Sequence, residues 1–95
     1  MKQSVELTEE QISLALKLLG ISLRDRIREK GRDSFINMHE ILGATEVEVA
    51  ELREAVHQKV ESAVIGELLD VAVGCVVGVA SLNAHMAARA QGGKQ

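Results

Sequence analysis

Glu54 and His57 stand three residues apart, and Glu61 follows four residues later. On a continuous helix that spacing puts two carboxylates and an imidazole on one face. Glu-x-x-His is the unit from which carboxylate-bridged metal sites are built, but such a site takes two of these pairs and two further glutamates. One chain offers one pair, so two copies would have to meet to complete a site, and a plain polar helix face is the simpler expectation. His39-Glu40 and His85 have no second ligand at a useful spacing. Cys75 lies in an apolar run, whereas reactive thiols need exposure and positive surroundings. The chain has no glycine-rich phosphate loop and no serine-centred elbow. No catalytic residue, metal or cofactor is expected, and the chain reads as non-enzymatic.

Charge carries a stronger pattern. Arg24, Arg26, Arg28, Lys30 and Arg32 crowd residues 24–32, opposed by Asp25 and Glu29, for a local charge of +3. Residues 46–54 carry Glu46, Glu48, Glu51 and Glu54 against Arg53, for −3. The glutamates find no lysine or arginine three or four residues ahead in the chain, and like-charged helical neighbours at that spacing repel. The acidic row Glu46, Glu48, Glu51 and Glu54 and the basic row Arg24, Arg28 and Arg32 are therefore the candidate partner-binding residues. They would pair with each other, across two copies, or with an outside protein. An anionic ligand at the basic row is a lesser alternative.

Phe35 to Leu52 has the outline of a helix-turn-helix, with a short helix, Leu42-Gly43-Ala44-Thr45 at the turn, and Val49 and Leu52 packing back. In its DNA-binding form the second helix meets bases and phosphates in the major groove. Here four carboxylates would meet a polyanion, while DNA affinity draws on lysine and arginine neutralising phosphates. There is also no Tyr or Trp for base stacking. A small nucleic-acid-binding regulator is accordingly the alternative function.

These residues need helices to hold them. Thr8-Glu9-Glu10-Gln11 has capping-box form, with Leu7 and Ile12 as a hydrophobic staple. Ile12, Leu16, Leu19, Leu23 and Ile27 then make an apolar stripe on a helix from Glu9 to about Lys30, ended by Gly31. Leu14, Leu18 and Ile21 form a second stripe, so the helix needs two neighbours. A short helix is expected over Phe35–Leu42, capped by Asp33 or Ser34. Thr45-Glu46-Val47-Glu48 repeats the capping-box form and opens a third helix with Val49, Leu52, Val56, Val60 and Ala63 inward. Periodicity continues to about Arg89, as one rod or with a bend near Gly66.

Within that last segment Gly66, Asp70, Gly74 and Gly78 share a small-residue face. The other side, through Leu68, Val71, Ala72, Cys75, Val76, Val79, Leu82 and Met86, is broadly apolar. Val71 to Leu82 is an uncharged run of twelve residues, short of the roughly 20 of a comfortable membrane span. It must be hidden by the chain itself or by another copy.

The 95 residues include one aromatic ring, Phe35, and no proline. A single domain of this size has a thin core, which association commonly supplements. The expected fold is all-α, a bundle of three to four helices with a long C-terminal helix and flexible ends at 1–7 and 91–95, completed by self-association. Leu14, Leu18, Ile21, Val71, Gly74, Cys75, Gly78, Val79 and Leu82 are the candidate self-association residues. One cysteine, and no charged start leading into an apolar stretch, point to the cytoplasm. The expected role is a protein-interaction module working as a homo-oligomer with an unidentified protein partner, nucleic acid and membrane being disfavoured.

Overall fold

The computed structural model describes residues 4–92. It contains three helices, α1 (Glu9–Lys30), α2 (Met38–Gln58) and α3 (Glu61–Gly92), and no strand among the described residues. The fold is the expected all-α bundle. Residues 4–7 are irregular, but α3 continues to Gly92, so 91 and 92 are helical where a loose end was expected; 93–95 and 1–3 lie outside the described residues.

α1 begins and ends where its local chemistry directs. The Thr8 hydroxyl accepts from the Gln11 backbone N–H at 3.2 Å, and the Gln11 side chain accepts from the Thr8 N–H at 2.9 Å. Gly31 has φ 81° and donates to the Ile27 carbonyl at 2.8 Å, a conformation that suits a residue with no Cβ. Gly20 does not interrupt the helix.

The middle of the chain departs from expectation. α2 runs unbroken through Gly43 and Ala44, so the short helix and the turn at 42–45 do not exist. Thr45 lies inside the helix, donating its hydroxyl to the Ile41 carbonyl at 2.8 Å rather than capping a new start. The true cap is Asn37, not Asp33 or Ser34. Its side chain accepts from the Glu40 N–H at 2.9 Å, and the Glu40 carboxylate accepts from the Ile36 N–H at the same distance. The chain turns instead at Lys59, in the left-handed region at φ 60°. Beyond it α3 is one helix of 32 residues, continuous past Gly66, about 48 Å long at 1.5 Å per residue.

α2 and α3 form an antiparallel hairpin that closes through small side chains. Ala55, Val73, Gly78 and Ser81 are buried, and a Cβ on Gly78 would stand 3.1 Å from Ile41 Cγ2. Such close contact turns the larger residues aside. Val49, Val56 and Val60, expected inside, are exposed, while Ile41, Ala44, Glu48 and Ala55 take the side toward α3. α1 docks only its C-terminal half, since residues 9–18 are exposed throughout. Arg26 lies over the Phe35 ring at 5.7 Å. Ala55 and Val73 are the only buried hydrophobic residues among those described.

Candidate functional site

Glu48 was expected on an outward row with Glu46, Glu51 and Glu54. The register of α2 instead directs it at α3, where carboxylate oxygens of Glu48, Glu67 and Asp70 lie within 4.8 Å of one another. Glu46, Glu51 and Glu54 stay exposed, and Gln58 donates to Glu54 at 3.3 Å. One oxygen each of Glu48 and Glu67 is shielded from solvent without a hydrogen-bond partner. Lost hydration, then Glu51, Asp70 and Glu67, push the Glu48 carboxyl above its usual range. Lost hydration, then Glu51 and Asp70, do the same to Glu67. Glu67 and Asp70 were absent from the expected partner-binding residues. Their signal, an acidic pair one turn apart, acquires meaning only once the hairpin sets it against Glu48.

Hard oxygen donors of this kind suit Ca²⁺, Mg²⁺ or Mn²⁺. Ca²⁺ takes six to eight oxygens, and this cluster supplies three carboxylates, with Asp70 exposed. The arrangement is a concentrated negative charge that a bound cation or a partner's ammonium or guanidinium group would relieve. The Glu54, His57 and Glu61 arrangement does not form one helix face, because α2 ends at Gln58 and the chain turns at Lys59 before Glu61.

The basic row is also rearranged. Arg32 lies beyond Gly31, off the helix that carries Arg24 and Arg28. Arg28 pairs with Asp25, the only ion pair among the described residues. Acidic and basic segments thus approach without joining. Arg26, Glu29 and Lys30 share a groove with Glu48, Asp70 and Gly74, but no cation of the 24–32 segment reaches the acidic cluster at ion-pair distance.

One grouping invites a catalytic reading and refuses it. Ser34 and His85, distant in sequence, meet at 3.4 Å between Oγ and Nε2. The same Nε2 stands 2.7 Å from the Phe35 carbonyl oxygen. A contact that short with a pure acceptor requires Nε2 to carry its hydrogen, and a nitrogen so occupied cannot take a proton from Ser34. Ser81 fastens the same turn, accepting from the Phe35 N–H at 2.9 Å and donating to the Val77 carbonyl at 2.7 Å. These residues anchor the α1–α2 connection onto α3.

The candidate self-association residues separate into distinct surroundings. Gly78 is buried against Ile41 of its own chain, so its close contact lies within the hairpin, whereas a Cβ on Gly74 would meet nothing within 4 Å. Val71 is half-buried. Leu14, Leu18 and Ile21 are exposed on the undocked side of α1, and Cys75, Val79 and Leu82 are exposed on α3. α3 is long and apolar enough to cross a bilayer by length and composition, with a best 18-residue window of mean hydropathy 2.1, only 11% of it buried. Comparison with known proteins found no matching family model, no matching curated protein and no matching solved structure.

Proposed function

We propose that this chain is a non-enzymatic protein–protein interaction module that acts as a homo-oligomer. One observation carries the reading. The single chain exposes 7871 Å², whereas a folded monomer of 10.3 kDa exposes about 5,400 Å². The excess, roughly 2,500 Å², is what one partner gives up in a large obligate interface. Large apolar side chains are exposed on all three helices.

The acidic cluster then serves as the docking feature for a second protein. A segment bearing lysine or arginine would neutralise Glu48, Glu67 and Asp70 without competition from a cation among the described residues. The helix-turn-helix outline for nucleic-acid binding loses its support, since α2 passes straight through the residues that would have made the turn.

Light scattering after size exclusion tests the first half. A mass of two or more chains, falling toward 10.3 kDa on dilution, is the expected result. A mass of one chain at every concentration, with the helices intact by circular dichroism, refutes the oligomer.

A further inference from the structure

We infer that the apolar face shared by α2 and α3 pairs with the same face of a second copy, α3 running antiparallel to α3, to close a four-helix bundle with each α1 outside it. This rests on the self-associating reading above and names the surface that would carry it.

The face is written in both helices as an alternation of three and four residues. On α3 it runs from Ile65 through Leu68, Ala72, Cys75, Val79 and Leu82 to Met86, three full heptads. On α2 it runs Met38, Leu42, Thr45, Val49, Leu52 and Val56. Each stripe lies about a quarter turn from its helix's hairpin contact. Because the helices are antiparallel, the two come out on the same side, and Met38 indeed lines one groove with Leu82 and Met86. α1 and the acidic cluster occupy the other side. The face is open in one chain, with Val79 62% and Met86 57% exposed.

Three observations select a second copy, and this direction. The part of the excess surface on α2 and α3 lies largely on this face, where Leu42, Ile65, Leu68, Val79 and Met86 are each more than half exposed, the kind of apolar area an obligate interface removes from water. Side-chain volume favours the antiparallel register. A parallel pair would stack Ala72 on Ala72 and Cys75 on Cys75, two thin layers in succession, whereas the antiparallel pair sets Ala72 against Leu82, Cys75 against Val79 and Leu68 against Met86. Charge agrees. Glu61 lies one turn before the stripe and Arg89 three residues after it, so antiparallel packing brings each acid within a turn of the other copy's arginine. Such a face is self-complementary, as a two-fold interface requires.

Single cysteines read the direction. Full-length Cys75→Ser/Ala72→Cys and Cys75→Ser/Leu82→Cys, oxidised separately and mixed, should form disulfide-linked dimers only in the mixture. Either variant linking efficiently with itself overturns the antiparallel register. Leu82→Glu, at a position already exposed in one chain, should weaken association about 100-fold or more with helicity retained. Should Leu82→Glu unfold, charge reversal replaces it: Arg89→Glu weakens association and Glu61→Arg added to it restores the wild-type mass. Full association without the expected losses overturns this face and leaves the oligomer standing, while a monomeric wild type removes both. Flotation of the wild type with phosphatidylcholine vesicles, its Cys75 shielded from a water-soluble maleimide, assigns the face to lipid and overturns the pairing.

Discussion

Ser81 shows how a polar side chain can hold a fold whose apolar core is small. It is 2% exposed, and both of its hydrogen bonds go to backbone groups, one of them in the connection before α2. Ser81→Ala would leave the Phe35 N–H without its acceptor, and a buried unsatisfied donor costs about 1–3 kcal/mol. The expected result in denaturant titration is a lower midpoint at unchanged slope. An unchanged midpoint would mean that this contact is not a structural tie. Glu48 and Glu67 make a second prediction at this scale. Both carboxyls are raised, by lost hydration first and neighbouring carboxylates next, so each holds its proton more tightly folded than unfolded. The stability they contribute is complete below the unfolded glutamate value, near pH 4.3, and is lost as pH rises through their raised values. Melting temperature should therefore fall over that window. Glu48→Gln should flatten the fall and stabilise the protein at pH 7 by about 1 kcal/mol, from several like-charge contacts of about 0.2–0.5 kcal/mol each. Parallel pH profiles for wild type and variant would rule this out.

Among the elements, legibility followed how local the deciding chemistry was. α1 was readable to the residue because Thr8, Gln11 and Gly31 settle its ends within a few positions of each other. α2 was misread because Gly43-Ala44 and Thr45-Glu46 resemble a stop and a start, yet neither is obligatory. Glycine only weakens a helix, and Thr45 bonds back to Ile41. The same closeness that buries Gly78 against Ile41 rotates α2 so that Glu48 faces α3 and Val49 and Val56 face out. Of the candidate site, the acidic row could be read in sequence, but its convergence with Glu67 and Asp70 depends on hairpin register, which no local pattern encodes. Two substitutions test this account. Gly43→Ala, with open space around it, should stabilise α2 by about 1 kcal/mol; a break at that position would instead make the change neutral or harmful. Lys59→Gly should also stabilise, by roughly 1 kcal/mol, because a side chain at φ 60° bears the left-handed penalty that glycine escapes. Chemical denaturation of each variant decides.

At the scale of the whole molecule, the two sides of the hairpin differ in character. One side gathers α1, the groove where basic and acidic residues approach, and the unrelieved carboxylates. The other side is aliphatic and, in the proposed assembly, closes on a second copy, so that pairing supplies the core and leaves the charged side free for a partner. Folding and association are then linked. With two buried hydrophobic residues among those described, the chain would gain much of its stability in the proposed dimer, and mass action would make that stability depend on protein concentration. Each tenfold dilution changes the association free energy by about 1.4 kcal/mol. For a dimer of twice 95 residues that should lower the melting temperature by about 3–6 °C. Leu82→Glu, if it disrupts the pairing as expected, should melt lower and lose this dependence. Scanning calorimetry over a hundredfold range of concentration measures both effects. A wild-type melting temperature that does not move with concentration would mean that a single chain is stable despite its thin core, and the link between folding and assembly would be withdrawn.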